Sequence, residues 1–344
     1  MSAIDGDYTF LYHTDTCGVV SMSLIERAIG KVKKFPINYD YNMHKLKDGV
    51  VLVDFEPASE ILNRIDGDIV VIGHHPKQEY KKEITYINTH DYYSELVRIY
   101  DLERYPPIIY PLMKMKKDKV SERIGILGLV SYGFIGLARI LNQNLEGQDV
   151  EGSLTTYEKM ATELHLVSAY KWKNLNNVVD TLTNAESWED VKALRKFHSR
   201  KMDIDYSKTI HEAIQSHMVL GRVNYFRIPN YFDGIQPFKW ELRNLVKRFY
   251  RPEVIIFAQV KNSTTKVSII SEHIDLVSLL KRAIEPLGID NFGGHEKSAG
   301  IIAPTELMPQ VVAAIVKDVN GKEWDKSLED VLAKKENNSK LSDF

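Results

Sequence analysis

The sequence predicts an α/β protein: a parallel-sheet N-terminal domain, a helical connector and a second, smaller α/β domain. Three observations carry this. Over roughly the first 140 residues, short apolar runs bounded by turn residues alternate with stretches of helical spacing, the pattern of a parallel sheet covered on both faces. From about Leu154 to Leu220 the spacing turns helical throughout. Beyond Leu220, strand and helix patterns alternate again. The 344 residues leave room for about two domains at roughly 150 residues each. We place the N-terminal domain at 1–150, the connector at 151–220, the second domain at 221–330 and a polar, fraying tail at 331–344.

The elements follow in order. Tyr8–His13 reads as a strand and Val19–Lys33 as the helix after it. Phe35–Tyr39 and Val50–Phe55 are β-rich, Pro57–Arg64 is helical, and Ile69–Ile72 and Ile84–Asn88 are further strands. Asp91–Glu103 repeats apolar residues at helical spacing behind an aspartate suited to cap it. Ile124–Ala138 is uncharged but too short to span a bilayer, and it holds Gly125, Gly128, Gly133 and Gly136. It reads as a buried strand running into a glycine-rich turn. In the connector, Met160, Leu164, Val167 and Leu175, then Val191, Leu194 and Phe197, then Ile210, Ile214 and Met218 mark successive helices. The second domain is built from Gly221–Ile228, Leu242–Phe249, Val254–Val260, Lys266–Ser271, His273–Glu285, Ala299–Ala303 and Leu307–Val316.

Composition narrows the function. Lys and Arg number 45 against 47 Asp and Glu, a net charge of −2. That balance argues against wholesale capture of nucleic acid and leaves only a local basic groove for it. A basic cluster of that kind is Lys114, Lys116, Lys117, Lys119 and Arg123, best read as a solvated loop. Tyr105-Pro106-Pro107 through Tyr110-Pro111 reads as an extended segment, and Trp172, Trp188 and Trp240 as packing residues. The single cysteine excludes a disulfide framework and a cysteine-based structural zinc site. Met1–Asp7 carries two aspartates and no apolar core, so we expect a cytoplasmic protein without membrane contact.

Three apolar strands are followed directly by polar residues: His13-Thr14-Asp15-Thr16-Cys17-Gly18, then Asp54, then Gly73-His74-His75. Each alone has a plain explanation as a helix cap, a turn or a surface pair. Together at the carboxyl edge of one sheet, where ligands of such sheets gather, they are the carboxylates and imidazoles a divalent metal needs. A fourth segment, Asn291-Phe292-Gly293-Gly294-His295-Glu296-Lys297-Ser298-Ala299-Gly300, allows close backbone approach to a bulky anion or forms a tight turn before a strand.

On these residues the chain resembles the DHH phosphoesterase superfamily, in particular its RecJ-like branch with a DHH-associated C-terminal domain, over roughly residues 7–145 and 220–318. The opening Asp-x-Asp motif falls on Asp15, Cys17 and Ser21, preceded by His13; the second motif's aspartate falls on Asp54; the Asp-His-His triplet falls on Gly73, His74 and His75; and the fourth aspartate falls on Ser131. The glycine-glycine-His signature falls on Gly293, Gly294 and His295, followed by Lys297 and Ser298, all candidates for phosphate or nucleic-acid binding.

The departures decide the reading. Enzymes of this kind hold two metal ions, usually manganese, on acidic residues around the scissile phosphate. This chain keeps Asp15 and Asp54 but has Cys17, Gly73 and Ser131 at the other acidic positions, and Ile270 where the associated domain carries an arginine. Sulfur suits manganese poorly, and isoleucine donates nothing to phosphate. The resemblance therefore implies a catalytically degenerate, archaeal RecJ-type cofactor of the replicative CMG helicase, a pseudo-nuclease with no catalytic residues and no expected cofactor. Its partners would be GINS and MCM in DNA replication, with single-stranded DNA as a further ligand. The alternative is a working phosphoesterase or exonuclease using manganese or magnesium on His13, Asp15, Asp54, His74 and His75.

Overall fold

In the computed structural model, residues 8–38, 45–56, 59–75, 81–92, 95, 98, 107–146, 150–170, 174–232 and 234–321 are described. The chain divides at Met202/Asp203 into two compact units.

The first unit is built on strands β1 (Tyr8–His13), β2 (Lys34–Ile37), β3 (Gly49–Val53), β4 (Ile69–Gly73) and β5 (Thr85–Asn88). They form a wholly parallel sheet in the order β2-β1-β3-β4-β5. Side chains alternate between two apolar layers. Phe10, Tyr12, Val51, Val53, Val70 and Ile72 face the larger core, while Leu11, Ile37, Val50, Leu52, Ile69 and Val71 face a smaller one with Phe55 and Ile61. Burial on both faces explains why β3 and β4 read as continuous apolar runs. The register aligns their carboxyl ends, pairing Tyr12 with Val53, Val53 with Ile72 and Gly73 with Asn88. This strand order reverses between β1 and β3, and the crevice at such a reversal is where doubly wound sheets bind ligands.

Helix α1 (Thr16–Ile29) starts earlier than its apolar spacing predicts, because the Asp15 side chain accepts a hydrogen bond from the Gly18 amide at 2.9 Å. A short α2 (Ser59–Leu62) follows β3. The helix expected over Asp91–Glu103 lies largely outside the described residues, as do Tyr105 and Pro106. The extended segment expected through Tyr110-Pro111 is instead helix α3 (Ile109–Met113).

The strand expected over Ile124–Ala138 is corrected too: it is α4 (Lys119–Ser131) running into α5 (Ile135–Glu146), with Gly133 in left-handed backbone (φ 77°) at the break. Its glycines serve close packing. A Cβ on Gly125 would lie 2.3 Å from Met113 Sδ, and one on Gly128 would lie 2.6 Å from Ile109 Cδ1 and 2.8 Å from Val20 Cγ1.

Helices α6 (Val150–Tyr170), α7 (Leu175–Thr183) and α8 (Trp188–Lys192) fall in the segment expected as a connector. Their apolar residues, among them Leu154, Tyr157, Leu164, Val179, Leu182 and Val191, join the same core as the sheet. A partly buried polar cluster fastens them. Lys34 Nζ meets Glu26 Oε1 at 2.8 Å and Asp180 Oδ1 at 2.7 Å, and Tyr12 Oη donates to Asn176 Oδ1 at 2.9 Å. Trp188 packs on Tyr157 with ring centroids 4.8 Å apart.

Helix α9 (Arg200–Gln215) leads into the second unit, whose six strands are β6 (Met218–Leu220), β7 (Val223–Arg227), β8 (Val254–Lys261), β9 (Thr264–Ser271), β10 (Phe292–His295) and β11 (Ser298–Pro304). Their order is β10-β11-β9-β8-β7-β6, antiparallel except for β7 beside β8. That one parallel pair requires a crossover, supplied by α10 (Gln236–Phe249). Helices α11 (Leu276–Ala283) and α12 (Met308–Asn320) bury Leu279, Leu280, Val312 and Ile315 against the sheet. Among the described residues, no helix is long and apolar enough to cross a membrane.

Candidate metal centre

The three post-strand segments of the first unit meet at one place. Cys17 Sγ, a carboxylate oxygen of Asp54 and a ring nitrogen of His74 lie within 4.8 Å of one another, and all three residues are buried. His13, Asp15 and Asp54 form a second such group. Asp54 belongs to both. Its backbone is left-handed (φ 54°), a conformation aspartate tolerates better than most residues, and its Oδ1 stands 2.8 Å from His74 Nδ1.

The geometry around Asp15 is closed. One oxygen caps α1 through the Gly18 amide and the other lies 3.1 Å from His13 Nδ1. Burial pushes the Asp15 carboxyl up, but His13, the Gly18 amide and His165 outweigh it and hold the group well below the usual carboxylate range. The turn is tight: a Cβ on Gly18 would lie 2.2 Å from the His13 carbonyl oxygen. Cys17 is fully buried, and that burial, reinforced by Asp54 and Asp15, pushes its thiol well above its ordinary value. In the absence of a metal it is therefore a neutral thiol.

Gly73 offers no ligand, yet the space beside it is open, since a Cβ there would find only Val71 Cγ1, at 4.0 Å. Ser131 ends α4, and its hydroxyl donates to the Gly128 carbonyl at 2.7 Å. The sequence resemblance attached that position to a strand end; the helix carries it instead. His75 stacks on His74 (4.6 Å between ring centroids), and its carbonyl accepts from Asn88 Nδ2 at 2.7 Å.

Neighbours not singled out by sequence complete the pocket. His165 on α6 bridges Thr16 Oγ1 (2.8 Å from Nδ1) and the Ser131 carbonyl (3.2 Å from Nε2). Tyr132 meets the His74 ring edge-on at 5.2 Å, and His90 Nε2 lies 3.0 Å from the His74 carbonyl. Nothing near His165 or Tyr132 in the sequence signals this role; only the packing of α4 and α6 brings them here.

In the second unit, Gly293, Gly294 and His295 form strand β10 and not the loop a tight turn would make. Gly294 pairs with Ala299 and His295 with Ser298, across a two-residue turn at Glu296 and Lys297. Gly294 has φ 140°, and a Cβ there would lie 2.5 Å from the Ser298 carbonyl oxygen, so glycine is required. The hairpin is anchored: the Glu296 carbonyl accepts from the Leu276 amide at 2.9 Å and the Lys297 carbonyl from the Ser271 amide at 3.1 Å, while Lys297 Nζ donates to the Glu272 carbonyl. Ile270 pairs with Ser298 across β9 and β11 and is half-buried. On the same strand face, Ser268 receives a hydrogen bond from Lys239 Nζ at 3.1 Å, a cation the sequence did not flag.

No sequence-family model matches the chain, and no curated protein matches it by sequence. Solved structures do match its fold. A manganese-bound RecJ exonuclease superposes with a TM-score of 0.51 at 14% identity, covering 90% of this chain and 88% of that one. RecJ of Thermus thermophilus with Mn2+ gives 0.57 at 14% identity, and the same protein with Mg2+ gives 0.53 at 14%. Those two alignments cover 90% of this chain but only 51% and 48% of the Thermus protein, so the chain spans about half its length. The fold is RecJ-like.

Proposed function

We propose that this protein is a RecJ-fold scaffold of DNA replication that binds GINS and supports the MCM helicase, with single-stranded DNA as a further ligand, and that it does not cut phosphodiesters. The depleted ligand set carries this reading. Two dications bring four positive charges, and stable two-metal centres offset most of that with carboxylates that also orient the attacking and leaving oxygens. Here Asp15 has both oxygens engaged, Asp54 is shared between both clusters, Cys17 is a buried thiol, and Gly73 has no side chain. The residues fit one dication and do not fit two. Losing a single supporting residue around a metal typically costs about 10–100-fold, and three lost ligands would compound that unless their effects overlap. A retained fold around a lapsed centre supports a binding role, and the near-neutral charge of −2 suits protein partners better than unaided DNA binding.

The alternative keeps one observation on its side. His13, Asp15 and Asp54 still place ligand atoms within 4.8 Å of one another, which favours a metal-dependent phosphoesterase with manganese or magnesium on these residues and on His74 and His75. The two readings separate in one experiment. The purified chain with manganese, offered single-stranded DNA, single-stranded RNA and a dinucleotide, is expected to give no turnover, while GINS and MCM co-purify with it. Hydrolysis abolished by Asp54→Ala would sink the scaffold reading.

A further inference from the structure

Cys17 changes the chemistry of the pocket as well as its charge. The donors left around Asp54 are one sulfur, one imidazole nitrogen and one carboxylate oxygen, mutually within 4.8 Å and buried. Among the described residues, neither Asp54 oxygen has a nitrogen or oxygen donor aligned for a hydrogen bond, although Asp54 is only 1% exposed. Its close company is the His74 ring nitrogen at 2.8 Å and the Cys17 thiol. A carboxylate removed from water without aligned donors is costly unless a cation meets it. Manganese and magnesium favour oxygen donors, and magnesium demands near-octahedral geometry. Sulfur, imidazole and carboxylate together are the ligands of four-coordinate zinc.

We propose that Cys17, Asp54 and His74 form a mononuclear site for a zinc-class dication, with the fourth coordination position open. The inference rests on the reading that the hard-cation centre has lapsed, and it gives the remaining residues a use of their own. Tetrahedral zinc ligands stand about 3.3–3.8 Å apart, and these atoms all lie within 4.8 Å of one another. The Asp54–His74 pair, at 2.8 Å, must open by about half an ångström. Binding forms a sulfur–metal bond and breaks the Cys17 S–H bond; the proton leaves to solvent and no electron is transferred. In the other group of this kind among the described residues, His13, Asp15 and Asp54, the Asp15 oxygens are already engaged by His13 and the Gly18 amide.

Cobalt(II) titration of the chelator-stripped full chain tests this. One equivalent should produce an intense thiolate-to-cobalt charge-transfer band in the near ultraviolet. Zinc should erase the band at stoichiometric concentration, and the same concentration of manganese should leave it. Cys17→Ser should lose the band and at least about 10–100-fold in zinc affinity, since losing a ligand costs no less than losing its support. Far-UV circular dichroism checks that this variant folds. His74→Ala provides a second arm: a weakened affinity with the charge-transfer band retained. No band in the native protein, a band surviving Cys17→Ser, or equal competition by manganese would each overturn the site. Manganese-dependent hydrolysis would defeat the scaffold reading without touching the cobalt result, and an absent band would defeat the zinc site without restoring a nuclease.

Discussion

Asp118 shows how one side chain contributes to the pH response of the first unit. It caps α4 by accepting from the Ser121 amide and hydroxyl, both at 2.8 Å, and pairs with Arg27 at 3.0 Å. Partial burial pushes its carboxyl up, but the Ser121 amide, the Ser121 hydroxyl and Arg27 outweigh that and lower it overall. A carboxyl lowered on folding contributes stability that is complete above the unfolded value and lost as pH falls through the folded one. We therefore expect the melting temperature to fall below about pH 4, and Asp118→Asn, which keeps a capping oxygen, to flatten that limb while lowering the plateau at neutral pH. Melting curves from pH 7 to pH 2.5 read both effects; identical limbs would assign the acid sensitivity elsewhere. At this scale the sequence was informative wherever a polar residue followed a strand. Asp54 and the His13–Asp15 pair fall where that pattern puts them because register aligns strand ends. His165 and Tyr132 were invisible, since one lies in α6 and the other in the turn just after α4, and packing alone decides what each meets.

Elements were legible where the period was unambiguous and misread where glycine intervened. The strands announce themselves as short runs, aromatic in β1 and β-branched in β3 and β4. The segment Ile124–Ala138 does not, because its glycines weaken helix propensity and an apolar run shows no face. Their purpose is tertiary: α4 packs so closely on α1 and α3 that a methyl group has no room. Gly128→Ala should therefore destabilise despite the helical preference of alanine. Overpacking costs about 1–3 kcal/mol against about 1 kcal/mol gained in propensity, a net loss of up to about 2 kcal/mol, or several degrees in melting temperature. An unchanged or raised transition would mean α4 shifts freely on its neighbours. The β10 strand was missed for a related reason: Gly293 and Gly294 read as a turn, but the antiparallel partner β11 and the anchoring of the hairpin by Leu276 and Ser271 hold them extended.

At the scale of the whole molecule, the proposed function holds that a RecJ-like fold persists without the carboxylates of a two-metal centre. The open space at Gly73 makes this testable by restoration. A Cys17→Asp, Gly73→Asp double variant returns two carboxylates beside Asp54. It should bind manganese at least about 100-fold more tightly than the parent, taking each restored ligand at the lower end of the supporting-residue scale; isothermal titration measures it. Manganese binding as weak as the parent's would show that the backbone itself has drifted from a metal-holding geometry. Domain organisation was the coarsest part of the sequence reading, because helical periodicity reports which face of a helix is apolar and never what covers it.

The Lys34 clamp has a practical corollary for anyone dissecting the chain. Lys34 neutralises Glu26, a carboxylate with no solvent exposure, only in company with Asp180, and Tyr12 finds its partner in Asn176. A fragment cut at residue 150 would lose both Asp180 and Asn176 and would bare the apolar wall that Leu154, Val179 and Leu182 cover. Such a piece should come out of cells insoluble or partly unfolded, whereas one ending near residue 202 should be monomeric by light scattering and melt in a single step.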